Sequence, residues 1–195
     1  MIPTARVISI GTLSKNTLWE ESRDTRTGHA TTTLVKGDDV TIVVDPGLPS
    51  QVIAAKLSER CPVTPEQVTH VFLTSFQDET IRGLGAFPNA TWVAFENEID
   101  AAKVSLNEQL AVASQHPEDG GVEPLEIRLQ ILDRLRPAED SIAPGIDIFP
   151  VAGVTPGTCG LLIAQPRKTI LITGDAVATR EHLASAQVLP TCWNR

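Results

Sequence analysis

The chain has 195 residues, and its 16 lysines and arginines against 24 aspartates and glutamates give a formal charge of −8. With 42% hydrophobic and 21% charged residues wholesale disorder is excluded, and the length suits one domain, residues 1–195, with a substantial core. The acidic balance argues against nucleic acid as a partner, because phosphate contacts need clustered lysine and arginine. We expect no membrane association and no secretory signal, since no apolar run spans a bilayer and residues 1–15 lack the signal pattern.

The N-terminal third is predicted to contain three strands and two helix starts. Apolar and β-branched runs predict strands at Arg6–Ile10, Thr31–Lys36 and Val40–Val44. Apolar spacing predicts a helix over Ser50–Arg60. A second helix start lies at Thr64, because proline follows it and Gln67 completes a capping box.

The middle of the chain is predicted to alternate between strands and helices. Strands are expected at Thr69–Thr74 and Thr91–Phe95, with a helix over Glu96–Gln115 and a surface loop at Pro117–Gly121. From Leu125 to Ile131 apolar and polar residues alternate strictly, which predicts a further strand.

The last third is expected to be mostly β-structure. It contains a predicted strand at Gly145–Val151, a hairpin of Leu161–Ala164 with Thr169–Thr173, and a short helix at Arg180–Ser185. Since no linker divides the chain, the sequence predicts one α/β domain with at least seven strands.

Three cysteines, Cys61, Cys159 and Cys192, are widely spaced and form no Cys-x-x-Cys pair. An odd number of isolated cysteines favours reduced thiols over a disulfide framework, so a cytoplasmic location is expected. Cys159 begins a strand, where a free cysteine behaves as a small buried hydrophobe rather than as a reactive thiol.

Three loops after predicted strands have distinctive sequences. They are Val44-Asp45-Pro46-Gly47, the run from Val71 to Leu84, and the run from Val151 to Thr158, which the hairpin and Asp175 follow. In this order and spacing the chain resembles the metallo-β-lactamase superfamily over about residues 28–185. The resemblance implies a four-layer αββα sandwich whose site lies at the edge where these loops converge. It also implies zinc-dependent hydrolysis, the chemistry of lactamases, thioesterases, nucleases and lactonases in that family.

The chain departs from the family where that family binds metal. The second loop of the family reads Thr-His-x-His-x-Asp-His-x-x-Gly, and the third reads Gly-His-Thr-Pro-Gly. In this chain Thr74 matches, and so do Gly153, Thr155, Pro156 and Gly157. The positions equivalent to metal ligands are held by Ser75, Gln77, Glu79, Thr80, Val154 and Asp175, of which Asp175 alone is unaltered. A final histidine ligand follows that aspartate in many members, and the sole candidate here is His182.

These substitutions remove the donors that zinc prefers. Zinc sites use three or four nitrogen or sulfur ligands, whereas Val154 offers no lone pair and Ser75 and Thr80 offer only hydroxyls. We therefore expect no zinc and no other cofactor. A divalent cation bound by oxygens of Gln77, Asp78, Glu79 and Asp175 remains the alternative for this site. Otherwise we expect Glu79 and Asp175 to be satisfied by loop amides and Arg82, with Arg82 paired to Glu79.

Other candidate residues have simpler interpretations. Ser75 has no histidine or lysine that the sequence places beside it, so it is not expected to act as a nucleophile. His29, His70, His116 and His182 have no metal-cluster spacing; His70 is expected to be partly buried and hydrogen-bonded, and His182 to lie on a helix surface.

The sequence thus predicts a non-catalytic binding or assembly protein with no catalytic residues, whose ligand is an unidentified small molecule or protein. The alternative is a metal-dependent hydrolase with a rearranged or mononuclear site of Glu79, Asp175 and His182. A purely structural homo-oligomer is a third hypothesis. A two-fold homodimer through the tail is expected, because Val188, Leu189 and Trp193 can cover a sheet edge.

Overall fold

The computed structural model describes residues 1–151 and 153–193 of the chain. Within them lie two β-sheets and five α-helices, joined by loops and short 3-10 turns. The helices are α1 Ser50–Arg60, α2 Asp78–Ile81, α3 Glu96–Ala113, α4 Val122–Arg134 and α5 Arg180–Ser185. No helix among these residues has both the length and the apolarity needed to cross a membrane.

The first sheet has six strands in the order of the chain. They are β1 Thr4–Ser9, β2 Thr32–Lys36, β3 Thr41–Val44, β4 His70–Leu73, β5 Thr91–Ala94 and β6 Arg136–Pro137. Strands β1 to β3 are antiparallel, and β3 to β6 are parallel. The carboxyl ends of the parallel strands therefore meet at one edge, which is where open α/β sheets place their ligand sites.

The second sheet is an antiparallel meander in the last third of the chain. Its strands are β7 Ser141–Ala143, β8 Ile146–Pro150, β9 Cys159–Gln165 and β10 Lys168–Ile172. They lie in the order β10-β9-β8-β7, so β10 is an edge strand, as β1 is in the first sheet.

Two hydrophobic clusters explain why the central strands are apolar at almost every position. Alternate residues of the first sheet, such as Val43 and Val71, pack against α1, α3 and α4. The intervening residues, such as Ile42 and Phe72, face Leu161 and its neighbours in the second sheet. Both faces of the first sheet are thus covered, which is the condition that gives a strand a continuous hydrophobic run.

Most predicted elements are confirmed, often at the expected residues. Helix α1 covers the predicted Ser50–Arg60, and α5 covers the predicted Arg180–Ser185. The capping box at Thr64 forms, with Gln67 Oε1 accepting from the Thr64 amide at 2.9 Å, but it begins only a 3-10 turn. The mixed α/β fold predicted from the sequence is confirmed.

The strand predicted at Leu125–Ile131 is wrong, because these residues belong to helix α4. Leu125, Leu129 and Leu132, spaced four and three residues apart, contact the core, while Ile127 is 50% exposed. Alternating charged and apolar residues are typical of a strand, which explains the prediction. The segment is helical because a helix places Leu125, Leu129 and Leu132 on one face, where all three pack against the sheet. Strands β6 and β7 were not predicted, since they are only two and three residues long.

Candidate functional site

Thr74 is the point at which the two sheets are joined beside the candidate site. Its backbone amide and its hydroxyl donate to the two carboxylate oxygens of Asp45, at 2.8 and 2.7 Å. Its carbonyl accepts from the amide of Cys159, the first residue of β9, at 2.9 Å. Gly174 lies against the Thr74 side chain, where a Cβ would approach the hydroxyl to 2.2 Å. The ends of β3, β4, β9 and β10 are therefore fixed relative to one another.

Asp45 holds its position through an unusual backbone conformation. Its φ of 48° lies in the left-handed region, which aspartate tolerates better than most residues. The side chain is fully buried, and burial raises its pKa to about 7 although the hydrogen bonds from Thr74 oppose the shift. The Thr32 hydroxyl donates to the Asp45 carbonyl at 2.8 Å and completes the turn. The loop after β3 is thus a rigid base for the site.

The loop after β4, residues 74–80, will be called loop A. The Thr80 hydroxyl lies 2.7 Å from the Ser75 carbonyl and 2.8 Å from the Gln77 carbonyl, and it accepts from the Gln77 amide at 3.1 Å. Thr80 is therefore fully used in closing this loop, and it is buried. Ser75 is completely buried, and its hydroxyl has no hydrogen-bond partner in the part of the chain that the structure describes. Two positions equivalent to histidine ligands thus hold side chains that do not reach the cleft.

The loop before β9, residues 153–158, will be called loop B. The hydroxyls of Thr155 and Thr158 lie 2.7 Å apart, and that of Thr158 accepts from the Thr155 amide at 3.1 Å. The Thr155 hydroxyl also donates to Glu98 Oε2 at 2.5 Å. Gly157 packs directly on α3, because a Cβ there would lie 2.2 Å from the Glu98 nitrogen.

Glu98 belongs to this region although nothing in the sequence predicts it. It lies in the first turn of α3, is only 1% exposed, and accepts from the Phe76 amide at 2.5 Å as well as from Thr155. Burial raises its pKa, and these hydrogen bonds act in the opposite direction. An acidic residue in the first turn of a helix is usually a surface feature, so no sequence signal distinguishes Glu98 from its neighbour Glu96.

A cleft of about 620 Å³ opens at this edge of the two sheets. Four of the six positions equivalent to metal ligands line it, namely Gln77, Glu79, Val154 and Asp175. The rest of its wall comes from residues 10–15, 28–31, 178–180 and 189–191, with Thr17 and Asp24. The wall combines carboxylates and an amide with apolar side chains, among them Ile10 and Leu13.

Glu79 and Asp175 do not have the partners predicted for them. Burial and the nearby Glu79 carboxylate both raise the pKa of Asp175. Among the described residues no side chain pairs with either carboxylate, and the Arg82 guanidinium donates instead to the Gly28 carbonyl at 3.2 Å. The expected Arg82–Glu79 pair is therefore wrong. Within residues 1–151 and 153–193, no loop amide donates to either carboxylate, and both face the cleft.

His182 is also placed differently from the prediction. It is 2% exposed rather than on the surface, and its Nδ1 lies 2.8 Å from the Thr179 hydroxyl. It does not line the cleft, so it does not join Glu79 and Asp175 there. His70 is half-buried with its Nδ1 2.9 Å from the Thr69 hydroxyl, as predicted, and burial lowers its pKa.

The donors at this edge do not fit a zinc ion. Ser75 and Thr80 are buried away from the cleft, Val154 has no donor atom, and His182 does not line the cleft. Among residues 1–151 and 153–193, no three histidine, cysteine, aspartate or glutamate side chains are grouped so that they could hold a metal ion.

Cys159 is buried, and burial raises the pKa of its thiol to about 11, which makes it unreactive as predicted.

Residues 25–188 match the sequence model of the metallo-beta-lactamase superfamily. No curated protein gives a significant sequence match to the chain. Many solved structures share its fold. A "probable metal-dependent hydrolase" from Staphylococcus aureus is 15% identical with a TM-score of 0.70, and the match covers 98% of this chain and 79% of that one.

Two lactone-cleaving enzymes are also similar in structure. AidC, a dizinc quorum-quenching lactonase solved with a product, is 18% identical with a TM-score of 0.57 over 73% of this chain. The match spans 54% of the length of AidC, about half of that protein. An N-acyl homoserine lactone hydrolase with product at its catalytic metal center is 16% identical, with a TM-score of 0.60 and coverage of 94% and 79%. At these identities the likeness shows the fold alone.

Proposed function

The chain belongs to the metallo-β-lactamase superfamily, and we propose that this protein binds a ligand in the family's cleft without the zinc-dependent hydrolysis. The proposal rests on where the structure places the six residues that stand at the family's metal-ligand positions. Four of them line a cleft of about 620 Å³, while Ser75 and Thr80 are buried away from it. Zinc hydrolases need the metal to lower the pKa of a bound water, and this donor set offers zinc no suitable site.

The integrity of the cleft supports binding rather than loss of all function. Its volume lies in the range of small-molecule pockets, and its wall has apolar and polar side chains in the mixture typical of such sites. Gln77 offers an amide at the cleft wall, whereas Ile10 and Leu189 offer apolar surface. A small molecule with a hydrogen-bonding end and an apolar body is the ligand that this wall suits best.

The second candidate function is a metal-dependent hydrolase with a rearranged or mononuclear site. One observation favours it, namely that Glu79 and Asp175 line the same cleft without partners among the described residues. Two carboxylates are few for a hard cation such as Mg²⁺ or Ca²⁺. Calcium, for example, takes six to eight oxygen ligands. We therefore rank this function second.

Assembly into a two-fold homodimer is a further part of the proposal. Leu183, Val188 and Trp193 expose 66%, 47% and 71% of their surface near the end of the described chain. Trp193 donates its amide to the Gly153 carbonyl at 3.2 Å, yet its ring stays exposed, so a second copy could cover it. Of the tail that was predicted to form the contact, Asn194 and Arg195 lie outside the described residues.

A cytoplasmic location is also proposed, because all three cysteines are buried and unpaired.

A fragment screen tests the proposed binding. Fragments with an amide group on an apolar body are to be scored by the shift that they cause in melting temperature. The variant Val154→Trp fills the cleft, and Val112→Trp adds the same bulk at an exposed position on α3. We expect fragments that stabilise the wild type and Val112→Trp but not Val154→Trp. Stabilisation that survives in Val154→Trp would place binding elsewhere, and hydrolysis of a bound fragment would favour the second candidate.

A further inference from the structure

Glu98 joins two loops that carry the cleft, and it does so with one oxygen for each. Its Oε1 accepts from the Phe76 amide of loop A at 2.5 Å, and its Oε2 accepts from the Thr155 hydroxyl of loop B at 2.5 Å. A single side chain therefore fixes the distance between the two loops.

The helix that carries Glu98 makes this link rigid. Glu98 lies in the first turn of α3, and its own amide donates to the Phe95 carbonyl at 2.9 Å. It is 1% exposed, so water does not compete for its oxygens. Gly157 packs on the Glu98 backbone with no room for a side chain, which brings loop B onto the same helical turn. Residues 155 and 157, which match the family's third loop, are thus the ones that contact Glu98.

The link lies farther along the loops than the connection at their base. At the base, the Cys159 amide donates to the Thr74 carbonyl at 2.9 Å. Glu98 acts two residues beyond Thr74 in loop A and four residues before Cys159 in loop B. The cleft-lining residues Gln77 and Val154 directly adjoin the two contacts of Glu98, since Gln77 follows Phe76 and Val154 precedes Thr155.

We propose that Glu98 is the positioning residue that holds loop A against loop B, so that the cleft keeps its shape without a bound metal ion. This inference rests on the proposed function, since it explains how a cleft without zinc ligands stays organised. It assigns Glu98 no contact with the ligand. Its role is to fix the loops that do line the cleft.

Hydrogen exchange measured by mass spectrometry on the full chain tests the inference. The variants are Glu98→Ala, which removes both bonds, Glu98→Gln, which keeps an acceptor for the Phe76 amide, and Thr155→Val, which removes the bond from loop B to Glu98 together with the contact between the Thr155 and Thr158 hydroxyls. Glu96→Gln is the matched control, because Glu96 is exposed in the same helical turn. Helix α4 serves as an internal reference in every variant.

In Glu98→Ala we expect amides of both loops to exchange roughly tenfold faster or more, with α4 unchanged. In Thr155→Val only loop B should exchange faster, and Glu98→Gln should restore most of the protection of loop A. A merely structural role in global stability would speed exchange in α4 as well, and that result would contradict the proposal. Unchanged loops in both Glu98→Ala and Thr155→Val would do the same. Should Glu98→Ala fail to fold, Glu98→Asp, whose side chain is one methylene too short to reach both loops, decides by the same criteria.

The same measurement with and without a chelator separates this inference from the proposed function. We expect EDTA to leave the exchange of both loops unchanged in the wild type. If EDTA speeds their exchange, a metal ion rather than Glu98 holds them, and the inference is wrong. If the protein proves to be a hydrolase while the loops still depend on Glu98 alone, the proposed function fails and the inference stands.

Discussion

The Thr74 hydroxyl and amide both donate to the carboxylate of Asp45, at 2.7 and 2.8 Å, across the carboxyl ends of two parallel strands. Asp45 is 2% exposed and has a φ of 48°, so this pair combines a buried acid with a left-handed backbone. Burial outweighs the two hydrogen bonds and raises the pKa of Asp45 to about 7. The pair therefore links the folding stability of the site to pH.

The first prediction is that the free energy of unfolding falls as pH rises from about 4 to about 7. In that window the native state keeps a proton on Asp45 that the unfolded chain has lost, because the pKa is raised from 3.8 to about 7. The stabilisation is complete below pH 4, and its loss has a limiting slope of about 1.4 kcal/mol per pH unit.

Urea unfolding at pH 5 and pH 7.5 measures this dependence. The variant Asp45→Asn should show a smaller slope, since asparagine does not titrate and tolerates the left-handed conformation. A wild type that is equally stable at both values, or an Asp45→Asn variant with the full slope, would refute the prediction.

The second prediction concerns Asp175, whose pKa is raised by burial and by Glu79. Its folded-state pKa lies above the unfolded value, so its ionised form destabilises the fold at pH 7. Asp175→Asn should therefore melt at a slightly higher temperature at pH 7 than the wild type. Hydrolysis of lactone, thioester and phosphodiester substrates should stay at the level of a control protein in both. Turnover by the wild type that disappears in Asp175→Asn would instead identify a metal-dependent hydrolase.

The third prediction uses helix α4, the element that the sequence pattern misassigned. Leu132→Ala should cost about 2–5 kcal/mol of stability, because Leu132 is 2% exposed in the core. Ile127→Gln should cost less than about 1 kcal/mol, because the side chain is 50% exposed and glutamine is a good helix former. In a strand with the predicted alternation Ile127 would be buried on the same face as Leu125 and Leu129, so Ile127→Gln would be a costly change. Chemical denaturation of the two variants measures the difference, and equal costs would argue against the helix.

Elements with strong local signals were predictable, and those decided by tertiary contacts were not. The Ser50–Arg60 helix has its own apolar spacing and a following turn, and it was predicted residue for residue. The residues 125–131 were misassigned because the burial of Leu125, Leu129 and Leu132 depends on the sheet beneath them. Short strands such as Arg136–Pro137 exist only through pairing with β5.

The same distinction holds for the candidate site. The motif alone predicts that four residues lie close together, since each stands in a loop that follows a predicted strand. These residues are Gln77, Glu79, Val154 and Asp175. Glu98 could not be predicted in this way, because its role depends on amides and hydroxyls of two loops that are distant in sequence. The sequence also does not reveal that Arg82 donates to the Gly28 carbonyl and leaves Glu79 without a partner among the described residues.

The fourth prediction is that the protein forms a two-fold dimer through its exposed tail. Light scattering at micromolar concentration should give twice the chain mass of 21.0 kDa. Trp193→Ser, which removes a ring with 71% of its surface exposed, should shift the mass towards that of one chain. Val112→Ser, at an equally exposed position on α3, should leave the dimer intact. A wild type with the mass of one chain would show that no such dimer forms at this concentration.

The metal content of the protein purified without added metal is the most direct test of the central claim, that this cleft does not hold the family's zinc. Because Ser75, Thr80 and Val154 stand where histidines would bind, we predict zinc far below one ion per chain. We also predict no change in melting temperature on adding micromolar zinc, whereas zinc at 100 times its dissociation constant would add about 2.7 kcal/mol, or roughly 5–10 °C. One or two zinc ions per chain, together with a clear upward shift in melting temperature, would contradict the account.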